Sequence, residues 1–180
     1  LAKTPPRSPN RQLESIPLPD YDGFEYERHL DFQMTTDHHF FNFHDDPRMV
    51  SVISSRSCPF ACTFCYHPIG RVYRERPLDN VFEELEFLIE RYDANQVAVL
   101  DELFAVKRER LVDFCRRIKG YDVQWTVQLR VDVIDEEVLQ MMHASGCSYV
   151  SFGLESMDDM VLDSMKKKCS AEQTERTLQM

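Results

Sequence analysis

From residue 49 onward the chain switches repeatedly between two hydrophobic spacings. Residues 49–54 form a short apolar run of strand type, and residues 80–92 place Val81, Phe82, Leu85, Leu88, Ile89 and Tyr92 at the repeat of an amphipathic helix. Asn80 and Glu83 have the spacing of a capping pair for that helix. Residues 96–100 read as a second strand, and 107–119 as a second helix with Gly120 placed to end it. A third strand at 123–130 is followed by a helix at 135–145, stopped by Gly146, and a fourth strand at 148–154. Two more helices, 157–167 and 171–180, complete the series, the last with Ser170 and Gln173 at capping-box spacing. Four successive β/α units imply a parallel sheet covered by helices.

The third strand says what its faces do. Val123, Trp125, Val127 and Leu129 share one side, and Gln124, Thr126, Gln128 and Arg130 the other. In a β/α barrel the apolar side packs under the helices and the polar side lines the lumen. In the fourth strand Val150, Phe152 and Leu154 pack outward while Ser151, Gly153 and Glu155 face in. A packed barrel fills its interior with branched apolar residues, so polar inward positions predict a ligand cavity. Four units do not close a barrel. The expected fold is α/β: a partial (β/α) TIM-type barrel over residues 49–180, truncated at its C-terminus. No Gly-x-Gly-x-x-Gly or Walker-type loop signals a dinucleotide or nucleoside triphosphate.

Ahead of this unit, residues 1–20 carry Pro5, Pro6, Pro9, Pro17 and Pro19 and read as an extended lead-in. Residues 21–48 are rich in aromatics and acids without a period, and read as an irregular segment covering an apolar surface of the barrel. The first residue is Leu, which fits a piece of a longer protein. The 180 residues carry 21 Lys and Arg against 31 Asp and Glu, a net charge of -10. That balance argues against a non-specific nucleic-acid binder, which needs clustered cations. No run reaches the roughly 20 apolar residues of a membrane span, and a cytoplasmic enzyme is expected.

Three of the six cysteines, Cys58, Cys62 and Cys65, fall on one turn-rich loop after the first strand, spaced Cys-x3-Cys-x2-Cys. A disulfide framework would be denser and secreted. Three thiolates on one short loop suit three corners of a [4Fe-4S] cluster, with the fourth iron left for an exogenous ligand. Cys115 and Cys147 read as buried small hydrophobes.

The run at 55–65, Ser-Arg-Ser-Cys-Pro-Phe-Ala-Cys-Thr-Phe-Cys, resembles the signature loop of the radical S-adenosylmethionine (radical SAM) superfamily, including the aromatic before the last cysteine. It is most similar to the branch whose members often carry an upstream cobalamin-binding domain. Residues 17–24 resemble the lead-in between those two domains, 100–104 the end of the second barrel strand, and 151–156 the end of the fourth. The resemblance covers roughly residues 17–180. It implies a partial barrel in which SAM chelates the open iron and is cleaved reductively to methionine and a 5'-deoxyadenosyl radical, which takes hydrogen from substrate. Cys58, Cys62 and Cys65 then match the cluster ligands, while Phe64 and Tyr66 flank the adenine. Asp101 and Glu102 match positions at the methionine ammonium, although the glycine-rich form common in relatives is missing. Gln128 and Arg130 match the SAM carboxylate or substrate, and Glu155 and Ser156 the ribose. The resemblance further implies a small organic substrate, a reductant such as flavodoxin or ferredoxin, and cobalamin held by a domain outside this chain. The net reaction would be a methylation, ring formation or other radical rearrangement.

Competing readings rest on the same residues. Cys58, Cys62, Cys65 and His67 could form a closed Cys3His zinc site in a non-catalytic module. A methylthiotransferase-like enzyme would need an added nucleic-acid-binding domain and a second cysteine-bound cluster upstream, neither visible in this sequence. His38, His39, His44, Asp45 and Asp46 form a second group of possible ligands, without periodic scaffold. The Lys166–Lys168 run reads as a solvated helix terminus.

Overall fold

Burial of apolar residues on three short parallel strands, with a fourth partly buried beside them, organises the molecule. The computed structural model describes residues 4–5, 7–33, 44–67 and 70–180. A short helix α1 (Tyr26–Asp31) precedes strand β1 (Met49–Val52), and a small hairpin, β2 (Ser55–Arg56) and β3 (Arg74–Glu75), follows. Then come α2 (Leu78–Tyr92), β4 (Gln96–Val99), α3 (Arg108–Ile118), β5 (Gln124–Leu129), α4 (Glu136–Ala144), β6 (Cys147–Phe152), α5 (Asp159–Ser164) and α6 (Ala171–Gln179). The large sheet has the order β1-β4-β5-β6, all parallel, with Val50 beside Val97 and Val97 beside Trp125. It is the expected partial (β/α) barrel.

The strand faces divide as the alternation predicts. Trp125, Val127 and Leu129 are buried in the core that also takes Val97, Val99, Leu85, Leu88, Leu111, Phe114 and Ile118. Rings continue this layer: Phe114 lies edge-on to Trp125 at 5.1 Å and to Phe104 at 5.0 Å. The Trp125 indole N–H, which could not be buried unpaired, donates to Ser145 O at 3.0 Å. On the opposite face Gln96 donates to its register partner Gln124 at 3.2 Å, so the inward side of these two strands is polar at the bottom of the barrel. Gly146 stops α4 with φ 87°, and an added Cβ there would lie 2.5 Å from Val123 O.

Several local expectations are corrected. Helix α2 begins at Leu78 after Pro77, so Asn80 lies inside the first turn and no side chain caps the end; its amide oxygen instead accepts from Arg76 Nε at 2.8 Å. Within the segment read as irregular, Tyr26–Asp31 is helical, with Tyr21 and Leu30 buried in the core. Leu13, in the lead-in, is 2% exposed and begins a 3-10 turn. The Gln33 amide pairs with both backbone groups of Met49, at 2.6 and 2.8 Å, so a side chain covers the free edge of β1. The β2–β3 hairpin was not expected, because a two-residue ladder leaves no period to read. The helix expected over 157–167 is confined to Asp159–Ser164. The capping box at Ser170 and Gln173 is formed. Among the described residues, no helix is long and apolar enough to cross a membrane.

Candidate functional site

The hairpin β2–β3 brackets the cysteine loop and fixes where it leaves the barrel. Ser57, buried with φ 70°, makes the turn out of β2, and its hydroxyl accepts from Arg74 Nη2 at 3.3 Å. Cys58 is half-buried, Cys62 buried and Cys65 exposed. All three line one cavity of about 360 Å³ at the C-terminal ends of β4, β5 and β6. Phe60, Phe64 and Tyr66 join them from the loop, and Glu102, Gln128, Arg130, Gly153, Glu155 and Lys167 from the barrel. Its size is that of a cofactor site, and its place is where β/α barrels carry their chemistry.

Among the candidates read from the sequence, Cys58, Cys62, Cys65, Phe64, Tyr66, Glu102, Gln128, Arg130 and Glu155 meet in this cavity. Phe64 and Tyr66 are 50% and 83% exposed. Burial pushes the Cys58 thiol up from its ordinary value, aided by the neighbouring cysteines and opposed by the Phe60 N–H and the Arg130 charge. Two candidates are placed otherwise. Asp101 is 5% exposed and does not line this cavity. Its Oδ1 accepts from Ser54 N at 2.7 Å and Ser55 N at 3.0 Å, and its Oδ2 from the two serine hydroxyls at 2.6 and 2.9 Å. The carboxylate is thereby taken up in holding the β1–β2 junction, one turn before the first cysteine. Burial pushes its carboxyl up, and the four donors pull it part of the way back. Ser156 lies outside the lining, and its hydroxyl accepts from Asp158 N at 3.1 Å, starting α5.

Gly153, read as inward-facing, lines the cavity, and Lys167 and Phe60 join it without a signal of their own in the sequence. The expected solvated terminus is a loop: Lys167 is 8% exposed, and its ammonium reaches Glu155 Oε1 at 3.3 Å and lies over the Phe64 ring at 5.8 Å. Gly153 leaves room for this pair, since a Cβ there would stand 2.9 Å from Glu155 Oε1 and 3.0 Å from Lys167 Nζ. A lysine run on a polar helix end gave no signal of this burial, and only the fold brings it beside Glu155.

The donor set bears on what the cavity holds. A tetrahedral zinc site needs four ligands about 2.0–2.3 Å from one ion. His67 does not line the cavity; its Nδ1 lies 3.9 Å from Glu102 Oε2, and neither ring nitrogen has a hydrogen-bond partner. Among the described residues, no three His, Cys, Asp or Glu side chains stand close enough to share one ion. Thiols distributed around a cavity suit a larger group, as the vertices of an iron–sulfur cube require. In the second group of possible ligands, His38 and His39 lie outside the described residues; His44 Nδ1 accepts from Asp46 N at 3.2 Å, a local turn contact.

Residues 52–180 match the family model described as the radical SAM superfamily. An uncharacterized methyltransferase of Pyrococcus horikoshii is 30% identical over 174 residues, covering 94% of this chain and 35% of that protein. An anaerobic magnesium-protoporphyrin IX monomethyl ester cyclase of Rubrivivax gelatinosus is 30% identical over 185 residues, covering 100% and 31%. The chain thus spans about a third of the length of these relatives. The solved radical S-adenosylmethionine methyltransferase TsrM of Kitasatospora setae, with cobalamin and a [4Fe-4S] cluster bound, shares the fold with a TM-score of 0.66. That match is 22% identical and covers 74% of this chain and 28% of TsrM. From the end of β1 through α6, sequence and fold agree, and the chain belongs to the radical SAM superfamily.

Proposed function

We propose that this chain supplies the N-terminal part of a radical SAM catalytic barrel, with Cys58, Cys62 and Cys65 as ligands to three irons of a [4Fe-4S] cluster. The observation that carries this reading is the opening of all three thiols into one cavity, lined by polar side chains from three strand ends. When bound, cluster and SAM supply reductive cleavage of the sulfonium and an adenosyl radical able to take hydrogen from an unactivated carbon.

The protein's own part is to bind, orient and shield. The three cysteines would bind the cluster as thiolates, their protons passing to solvent, and the Arg130 charge near Cys58 favours the thiolate there. The exposed rings of Phe64 and Tyr66 offer faces for the adenine. Glu102, at the cavity wall, provides an acceptor for the methionine ammonium, with Gln128 a neutral donor and acceptor beside it. Glu155 accepts from Lys167 and can accept from ribose hydroxyls. Lys167 has three ammonium hydrogens and one carboxylate partner, so it has donors to spare for an anionic group such as the SAM carboxylate. Asp101 and Ser156 serve by holding backbone.

The relatives extend the reading to a whole protein. Methylation of a small organic substrate, or a related radical rearrangement, follows from the methyltransferase and cyclase names, with cobalamin on a domain outside this chain, as bound in TsrM. A flavodoxin- or ferredoxin-type reductant and a cytoplasmic setting complete the proposal. The test uses the full-length protein purified without oxygen: iron and sulfide are counted, the visible spectrum is taken, and dithionite plus SAM are added. Near four irons per chain and formation of 5'-deoxyadenosine are expected. Colourless, zinc-loaded protein would overturn the reading.

A further inference from the structure

Between α5 and α6 the chain crosses the cysteine loop with two backbone carbonyls turned onto the loop and the next two onto Arg130. Met165 O accepts from Thr63 N at 2.9 Å, and Lys166 O faces Cys62 Sγ at 3.9 Å. Lys167 O accepts from Arg130 Nη1 at 2.9 Å, and Lys168 O from Arg130 Nη2 at 2.8 Å. Lys166 and Lys168 hold φ of 56° and 61°, a left-handed conformation that L side chains adopt only when their surroundings impose it. Those surroundings include the guanidinium of Arg130.

Arg130 lies at the end of β5 with little left to offer a ligand. Asp132 accepts from its Nε at 3.0 Å and from its Nη2 at 2.8 Å. With the two lysine carbonyls, acceptors engage four of its five N–H groups. Its plane stacks on the Phe60 ring, 3.8 Å from the centroid, and Phe60 sits between Cys58 and Cys62 in the loop. One rigid fork therefore ties three parts of the molecule: the third large-sheet strand, the 165–168 strap and the cysteine loop. A lysine could supply the charge but not this planar, many-armed geometry.

We propose that Arg130 is a positioning residue, a latch that closes the 165–168 strap over the cysteine loop and so fixes Cys58 and Cys62 at the spacing the cluster requires. This rests on the cluster reading above. It replaces the expectation that Arg130 contacts the SAM carboxylate, a task that its one remaining N–H group leaves to Lys167. It also gives the fourth β/α unit a role in a metal site to which it contributes no thiol.

The test compares full-length, anaerobically reconstituted wild type with Arg130→Lys, Arg130→Met and Phe60→Leu. Iron release to a ferrous chelator is timed, the electron paramagnetic resonance spectrum of the dithionite-reduced cluster recorded, and SAM affinity measured on the cluster-bearing fraction. Both Arg130 variants are expected to lose iron about tenfold faster, the usual scale for groups that orient metal ligands. Their cluster spectrum should change, while SAM affinity stays within about threefold of wild type, since no donor to the nucleotide has been removed. Phe60→Leu, which removes the stacked ring and no buried polar group, should release iron about threefold faster with an unchanged unfolding midpoint. Wild-type iron release and spectrum in the Arg130 variants would overturn the latch, as would wild-type iron release with a tenfold or larger loss of SAM affinity. If the Arg130 variants do not fold, Phe60→Leu decides: wild-type release overturns the latch, faster release supports it. Wild-type protein without iron would instead sink the cluster reading itself.

Discussion

Removing the acceptors that Asp101 provides should be among the most damaging single changes outside the apolar core. In Asp101→Ala the N–H groups of Ser54 and Ser55 lose their partner at a site only 5% exposed. Each buried donor left unpaired costs about 1–3 kcal/mol, so the pair amounts to about 4 kcal/mol. The hydroxyls suffer less, because Ser55 Oγ also has Leu103 O at 2.8 Å and Ser54 Oγ accepts from Arg110 Nη2 at 3.2 Å. Asp101→Asn keeps an oxygen for the two N–H groups, and its amide can donate to the hydroxyl oxygens. It loses charge assistance and the acceptor of the Ser54 hydroxyl, together about 1 kcal/mol. With a urea m-value of about 2 kcal/mol/M, the unfolding midpoint of the cluster-free protein should fall by about 2 M for Ala and about 0.5 M for Asn. Circular dichroism along a urea series measures both. A midpoint for Ala within 0.5 M of wild type, or an Asn variant as impaired as Ala, would refute the hydrogen-bond accounting.

Other expectations are independent of this one. Gly146→Ala forces a side chain into φ 87° against Val123 O and should lower the thermal midpoint by about 9 °C, from about 3 kcal/mol of strain. Ser170→Ala removes the acceptor at the start of α6 and should cost about 1 kcal/mol, with faster amide exchange across Ala171–Gln179. Tyr21→Phe deprives the buried Glu84 of a donor at 2.5 Å and should destabilise by about 2 kcal/mol in the same urea assay. Burial pushes the thiols of Cys115 and Cys147 up to about 11 and about 12. At pH 8 a thiol at about 11 is only about a thousandth thiolate, so iodoacetamide should label exposed Cys65 first in cluster-free protein. Labelling of Cys115 and Cys147 should accelerate as pH rises toward those values; peptide mass spectrometry resolves the order.

Periodicity alone determined the β/α order, the buried face of β5 and the ends of most helices. It could do so because which side of an element is apolar is written within the element, at two residues per repeat in a strand and 3.6 in a helix. The cysteine loop was equally legible, since three thiols within eight residues make a pattern that needs no partner elsewhere. The tertiary structure alone decided how side chains distant in sequence share their hydrogen bonds. Asp101 and Glu102 are adjacent in the chain, yet one is spent on two serine residues 46 and 47 positions away and the other lines the cavity. Arg130 and Lys167, 37 residues apart, both line the cavity, but the strand-end arginine is engaged by Asp132 and two backbone carbonyls, and the lysine of a polar run is buried beside Glu155. A buried polar group takes whichever partner packing brings within reach, and that choice is made only once the strands and the strap have come together.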